Sequence, residues 1–284
     1  MSVKGKPKKE SRYHVRNRNR ERYDLDALLT SNPVLANYLM PNRKGVNSVD
    51  LSNPDAVKVF NQSILNHYYG ITNWSFPEGY LCPSVPLSAD YVHHIADLLC
   101  EHNFGKIPTG NKITFYDIGI GACCIFPIIG VVDYEWNFIG SDIDGKVIES
   151  ASNIVESNTA LKGKIACKLQ ANPKDAFYGI IDKEEKIDLS ICSYLTEEGG
   201  TKFITNMLRE SKKFAQNFYW FSILVSNPIM ANNIRMALGR FKPTQIKTIP
   251  MGTGTKTSQI VAWTFLSKEE QKAWKISRWN KKQA

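Results

Sequence analysis

Several features are scarce or missing in this sequence, and each absence excludes a class of protein. No apolar run is long enough to cross a bilayer, and the N-terminus has no apolar signal region. The 284 residues include six cysteines and no Cys-x-x-Cys pair, so neither a zinc site nor a disulfide framework is indicated. We therefore expect no bound metal, and we expect free thiols in a reducing compartment, the cytoplasm.

Positive charge is in excess, with 36 Lys and Arg against 27 Asp and Glu and a net charge of +9. This balance favours an anionic partner, with nucleic acid ahead of a membrane. Residues 1–22 form a basic arm, which we expect to be partly disordered. Its Arg-x-Arg alternation is typical of a segment that contacts successive phosphates, although a solubilising tail is the alternative. The candidate phosphate contacts are Arg16, Arg18, Arg20 and Arg22.

The centre of the chain is the stretch Asp117-Ile118-Gly119-Ile120-Gly121, which follows an apolar run. It predicts a buried parallel strand that turns tightly into a helix. Gly119 and Gly121 let the backbone turn sharply and pass close to a ligand, and Asp117 can accept a hydrogen bond from that ligand. A second predicted strand ends in Asp142, where an acid suits a ribose hydroxyl. We expect a nucleotide-type cofactor here; an ordinary strand-to-helix turn is the alternative.

The third glycine of dinucleotide-binding folds is missing, because position 124 is Cys. A cofactor without a pyrophosphate to cradle fits this turn better, which favours S-adenosylmethionine over NAD. A nicotinamide-dependent oxidoreductase would need that glycine and a sheet that stays parallel to its last strand.

Strand and helix patterns alternate through a predicted core over 106–267. Strands are predicted over 113–118, 136–142, 164–169, 186–193 and 216–226, with an antiparallel pair over 244–249 and 259–266. Intervening helices are predicted over 122–132, 144–158, 201–214 and 227–240. This order predicts an α/β fold of the Rossmann-like class I S-adenosylmethionine-dependent methyltransferase type, whose seven-stranded sheet is mostly parallel with an antiparallel last pair.

A helical N-terminal region is predicted over 23–105 and a charged, helical tail over 268–284. The N-terminal helices are expected over 25–29, over 33–40, from residue 54 and over 88–103. An extended segment rich in aromatic residues and prolines, 71–86, separates the last two.

Seven stretches, in order along most of the chain, resemble the bacterial ribosomal RNA large subunit methyltransferase F family. They are 14–23, 74–83, Asp90-Tyr91-Val92-His93-His94, 117–127, 140–144, 198–200 and 261–265. The methyltransferase-16 type of U6 RNA adenine methyltransferase is the eukaryotic relative of that family. The resemblance implies transfer of a methyl group from S-adenosylmethionine to N6 of one adenine in 23S ribosomal RNA. The implied partner is this RNA or a large-subunit assembly intermediate, and we expect a monomer.

The resemblance also implies a role for the loop 251–258, because family members carry a similar glycine- and lysine-containing loop near cofactor and RNA. Lys256 is the candidate phosphate contact in it. An ordinary hairpin turn is the alternative.

The chain departs from the family at functional positions. The family's Asn-Pro-Pro-Phe motif and the polar insert after it are missing beyond Cys192, which leaves Ser193 and Tyr194 as the nearest catalytic candidates. Asn227-Pro228 is better explained as a helix cap. Ser88 stands where the family has an Arg suited to the cofactor's carboxylate, and Cys123 takes a cofactor position that is polar in some relatives. We therefore expect weakened cofactor binding and doubtful catalysis, and an RNA-binding protein that no longer methylates is the alternative.

Overall fold

The computed structural model describes residues 13–21, 23–42, 45–194, 200–252 and 258–279. The N-terminal part holds helix α1 (Leu25–Ser31), a 3-10 helix (Pro33–Tyr38) and a short hairpin of β1 (Leu39–Pro41) and β2 (Asn47–Val49). Two longer helices follow, α2 (Pro54–Tyr69) and α3 (Val85–Glu101). The core elements are β3 (Thr114–Ile118), α4 (Ile125–Tyr134), β4 (Asn137–Asp142), α5 (Gly145–Glu156), β5 (Ile165–Leu169), β6 (Ile187–Tyr194), α6 (Gly200–Lys213), β7 (Phe218–Val225), α7 (Pro228–Gly239), β8 (Gln245–Met251), β9 (Ser258–Thr264) and α8 (Lys268–Trp274).

Seven strands form the central sheet in the order β5-β4-β3-β6-β7-β9-β8. Pairing is parallel from β5 to β7, whereas β9 runs antiparallel to both of its neighbours. This arrangement confirms the predicted Rossmann-like α/β fold with its antiparallel last pair. The chain winds outward from β3 on one side and from β6 on the other, so the crevice at their carboxyl ends is where such folds bind ligands.

Several predicted helix boundaries were wrong by two or three residues, and three of these differences have a local physical cause. The helix expected over 33–40 ends at Tyr38 as a 3-10 helix, and the next residues enter the hairpin, whose strand β1 ends in Pro41. Helix α3 starts at Val85, not at 88, because Pro86 fits the first helical turn. Helix α4 starts at Ile125, not at 122, because Gly121 and Cys124 have φ values of +67° and +53°, which no right-handed helix contains.

The C-terminal segment is anchored to the sheet through one buried carboxylate, that of Asp188 in β6. Asp188 accepts hydrogen bonds from the backbone N–H of Thr114 (2.8 Å) and from both indole N–H groups of the segment, Trp274 (2.8 Å) and Trp279 (2.7 Å). The guanidinium of Arg278 pairs with it at 2.8 Å. Residues 275–279 form a π-helical turn after α8. This turn brings Arg278 and Trp279 to the carboxylate of Asp188.

All six cysteines are free; Cys123, Cys124 and Cys192 are buried and the other three are half-buried. Across the described ranges, the His, Cys, Asp and Glu side chains form no group of three that could hold a metal ion. Among the helices that the structure describes, none has the length and apolar character needed to cross a membrane.

Candidate functional site

The glycine turn after β3 is held against the end of β4 by backbone hydrogen bonds. The N–H groups of Gly119 and Ile120 both donate to the carbonyl oxygen of Ser141 at 2.9 Å. Gly119 and Gly121 have φ values of +77° and +67°, in the left-handed region that glycine adopts at little cost. The turn therefore needs both glycines for its backbone conformation.

Gly140, in the neighbouring strand β4, fixes the position of this turn through packing. A Cβ built on Gly140 would lie 2.9 Å from Ile120 Cγ1 and closer still to its Cδ1. The side chain of Ile120 thus occupies the space that Gly140 leaves free, and it lies between the two glycines of the turn. Sequence reasoning missed this role; the signal for it is a glycine inside a buried strand.

Asp117 is a buried acid at the end of β3, as the sequence indicated. Its side chain is fully buried, and neither carboxylate oxygen has a hydrogen-bond partner within the described part of the chain. Burial, together with the nearby charge of Asp142, raises the pKa of Asp117 to about 8. A buried carboxyl group without a partner is costly, so its acceptor oxygens are suited to a ligand that donates to them.

Asp142 lies at the end of β4 and faces the same turn. One of its oxygens accepts from Gly121 N at 3.3 Å and the other from Asp144 N at 3.2 Å. Burial raises the pKa of Asp142. Asp144 in turn caps α5 through Lys146 N and accepts from the hydroxyl of Tyr80 at 2.8 Å. The sequence did not single out Tyr80 for the site, although it lies in the aromatic segment.

The extended segment before α3 contacts the other side of the turn. The indole N–H of Trp74 donates to the carbonyl oxygen of Cys123 at 2.8 Å, and the Cys123 thiol donates to the carbonyl oxygen of Leu81 at 3.2 Å. Burial raises the pKa of Cys123 to about 12, so this residue is a neutral thiol at physiological pH. Cys123 therefore ties the segment to the glycine turn.

The end of β6 lies beside Asp117, because Asp117 pairs with Ile191 and Ile118 with Cys192 in the parallel register. Ser193 is half-buried and pairs with Leu224 of β7, and Tyr194 is the last residue of the strand. Asn227 caps α7, its side-chain oxygen accepting from Met230 N at 2.8 Å, as the sequence indicated.

Two arginines of the basic arm, Arg16 and Arg18, make contacts within the chain. Arg16 donates to Asp97 at 2.8 Å and to the Tyr134 hydroxyl at 3.0 Å. Arg18 forms an ion pair with Asp133 at 2.6 Å. Arg20 is exposed, whereas Arg22 and Lys256 lie outside the described residues.

Comparisons with known proteins agree on one family. A family model described as RNA methyltransferase matches two segments, 7–197 and 193–267. Ribosomal RNA large subunit methyltransferase F of Cytophaga hutchinsonii is 40% identical over 312 aligned positions, which cover 96% of this chain and 97% of that protein. The protein of the same name from Yersinia enterocolitica is 40% identical over 313 positions, covering 96% and 93%. Both alignments are longer than this chain, so these relatives carry residues that it lacks.

Solved structures give the same fold. The N-terminal domain of human METTL16 in complex with SAH has a TM-score of 0.79 at 22% identity and covers 90% of this chain and 99% of its own. The hMettl16 catalytic domain in complex with the MAT2A 3'UTR hairpin 1 has a TM-score of 0.78 at 19% identity, covering 90% and 96%. The sequence relatives and the family model together place this chain in the RNA methyltransferase family that includes ribosomal RNA large subunit methyltransferase F.

Proposed function

We propose that the chain uses S-adenosylmethionine to methylate N6 of an adenine in 23S ribosomal RNA. The observation that supports this most directly is the buried carboxyl group of Asp117 beside the glycine turn, which has no partner among the described residues, in a chain of an RNA methyltransferase family. The substrate follows the names of the relatives, and one solved neighbour is a complex with an RNA hairpin. Free 23S RNA or a large-subunit assembly intermediate is the proposed partner, bound by a monomer in the cytoplasm.

The residues of the turn fit such a cofactor. The cofactor's sulfonium supplies an electrophilic methyl group. Asp117 is the proposed acceptor for a donor group of the ligand, and Gly119 and Gly121 have no side chains that would keep a ligand from the backbone of the turn. Asp142 is the proposed acceptor for ribose hydroxyls, because its carboxylate already faces the turn through Gly121 N. Cys123 connects the turn to the extended segment beside it, through hydrogen bonds with Trp74 and Leu81.

For the adenine, the end of β6 is the proposed contact. Exocyclic amine methylation needs acceptors for the amino hydrogens and a stack that fixes the ring, so positioning provides much of the rate. Ser193 and Tyr194, the last two residues of β6, are the proposed contacts. A single hydroxyl acceptor fixes an amino group less well than two acceptors do.

An RNA-binding protein on the same fold that methylates poorly is the second candidate. The observation in its favour is that the sequence contains no Asn-Pro-Pro-Phe. The two segments of the family match also meet at 193–197, directly after Cys192.

The arm and Lys256 are the proposed phosphate contacts. Pairing with Asp97 or Asp133 does not exhaust Arg16 or Arg18, since a guanidinium has five N–H donors. Arg20, Arg22 and Lys256 complete the proposed set.

Calorimetry with S-adenosylmethionine tests the cofactor site. We expect Asp142→Ala to weaken binding about tenfold or more, the usual cost of losing hydrogen bonds to a charged group. Asp55→Ala, which removes an exposed acid on α2 and changes the net charge equally, should bind as the wild type does. Equal affinity in all three proteins would remove Asp142 from the site, and tight binding of NAD would favour an oxidoreductase.

A further inference from the structure

A cleft lies at the ends of the parallel strands that are opposite to the glycine turn. It has a volume of about 630 Å³ and is lined by Asn103, Phe104, Lys106, Ile107, Pro108, Thr109 and Trp279. Pro108 accepts a hydrogen bond from the indole of Trp136 just before β4, and Trp279 bonds Asp188 near the start of β6. The cleft therefore lies at the amino ends of the parallel strands, away from Asp117.

Phe104 is an unusual residue for this position. Its side chain is 85% exposed, and its φ of +53° lies in the left-handed region. The turn after α3 fixes this conformation, since Gly105 N donates to Cys100 O and Asn103 Nδ2 donates to Lys106 O. Glycine or asparagine adopts this conformation at lower cost, and an exposed ring gains little from folding. Neither backbone preference nor burial therefore explains why this position holds a phenylalanine.

The surroundings of the ring are positively charged. The ammonium group of Lys275 lies 5.3 Å from the centre of the Phe104 ring, and Lys106 lines the cleft. Burial and the charges of Lys247 and Lys275 lower the pKa of the neighbouring His102. The nearby acids are paired: Glu101 with Lys247, and Asp188 with Arg278.

We propose that this cleft is a second RNA-binding subsite, which takes an unpaired nucleobase stacked on Phe104. The inference rests on the proposed RNA substrate and adds a contact outside the cofactor crevice. The volume of the cleft is within the size range of small-molecule sites, and an aromatic ring in a positively charged groove is an arrangement by which proteins hold single-stranded nucleic acid. Lys106 and Lys275 would meet the phosphates on either side of the base. An acidic peptide would use the lysines but would not need an aromatic platform.

Such a subsite anchors RNA at a distance from the reacting adenine. Because it lies at the amino ends of the strands, the bound nucleotide is outside the cofactor crevice. Its contribution is to the affinity for extended RNA and not to cofactor binding.

Three substitutions at one position separate stacking from structure. Phe104→Tyr keeps an aromatic face, Phe104→Leu keeps apolar bulk and the same backbone conformation, and Phe104→Gly removes both the ring and the conformational cost. The probes are an oligoadenylate and a single-stranded 23S fragment, with the dissociation constant measured by fluorescence anisotropy at fixed salt. Thermal unfolding and S-adenosylmethionine calorimetry on the same proteins report on folding and on the cofactor site.

We expect Phe104→Tyr to bind RNA as the wild type does, and the Leu and Gly variants to bind about tenfold more weakly. Phe104→Gly should keep or raise the unfolding midpoint while losing RNA affinity, which a purely structural role of the ring does not produce. If the wild type binds RNA and all three variants match it, the subsite is wrong although the proposed function stands. A wild type that binds neither RNA would contradict the proposed function itself.

Discussion

At the scale of one residue, Asp117 of the proposed cofactor site lowers the stability of the folded chain above acidic pH. Because burial raises its pKa to about 8, folding takes up a proton on this group between about pH 4 and pH 8. The unfolded chain has already released that proton. The contribution of Asp117 to the free energy of unfolding therefore falls as the pH rises through this window.

Asp117→Asn should remove this pH dependence. Relative to the wild type, we expect the variant to gain on the order of 1 kcal/mol in unfolding free energy for each pH unit between pH 5 and pH 7. Denaturant unfolding of both proteins at several pH values, without cofactor, measures the difference. Calorimetry should also show weaker binding of S-adenosylmethionine to the variant. Parallel pH profiles would mean that Asp117 is already ionised or paired in the folded chain.

Substitution of Gly140 tests its packing role separately from any effect on backbone conformation. Gly140→Ala forces Ile120 to move, and with it the turn between Gly119 and Gly121. We expect a loss of about 1–3 kcal/mol in unfolding free energy, typical of overpacking, together with weaker cofactor binding.

Gly145→Ala is the matched control. A Cβ at Gly145, the first residue of α5, meets no described atom within 4 Å, and its φ is not in the left-handed region. This variant should be neutral or slightly more stable. If the two variants behaved alike, Ile120 would have room to relax and Gly140 would not position the turn.

At the scale of elements, residues 13–21 of the basic arm pack against the protein. Asn17 and Asn19, which alternate with the arginines, are buried, and Asn17 donates to Pro86 O and to Asp90. Arg18 pairs with Asp133, a half-buried residue whose side chain is 8% exposed, and desolvation of this carboxyl group is the largest cause that raises its pKa. The alternation that indicates a phosphate-tracking arm therefore also suits an arm whose asparagines face the protein.

Residues 1–12 of the arm and its docked residues should differ in their effects on RNA binding and on stability. Deleting residues 1–12 removes Lys4, Lys6, Lys8, Lys9 and Arg12 but leaves the docked residues intact. We expect this deletion to reduce the salt dependence of RNA binding and to leave the unfolding midpoint unchanged. Arg18→Met should instead lower the unfolding free energy by about 1–2 kcal/mol, because Asp133 loses its partner. A deletion that left the salt dependence unchanged would make residues 1–12 a solubilising tail.

Elements differed in how well the sequence predicted them. The alternating core units were predicted because their apolar patterns are long and periodic. The hairpin of β1 and β2 was missed because three-residue strands show no period. The ion pair of Arg18 and Asp133 and the four partners of Asp188 join residues far apart in the sequence, and no local pattern reports such contacts. The positions of Asp117 and Asp142 at strand ends were predicted correctly because an acid after an apolar run is itself a local pattern.

At the scale of the whole molecule, the described residues contain the seven-stranded sheet and the glycine turn, and the family match divides at the end of β6. The family match divides at 193–197, and the relatives' alignments exceed the length of this chain. Asp117 and Asp142, on β3 and β4, do not depend on residues beyond Cys192 for their positions. Cofactor binding and catalysis should therefore be separable in this chain.

Insertion of a family Asn-Pro-Pro-Phe segment, with its polar insert, between Cys192 and Ser193 should restore the missing acceptors. Two acceptors and a stacking ring hold the adenine amino group for reaction, and losing an oriented pair typically costs a factor of hundreds in rate. We expect methylation of a 23S fragment to rise by about that factor while the affinity for S-adenosylmethionine stays unchanged. The measurement is transfer of labelled methyl from the cofactor to RNA, with the control of the same graft carrying Ala in place of its Asn. Robust turnover by the ungrafted chain would place the catalytic groups elsewhere, and Asn227 would then be the first residue to substitute.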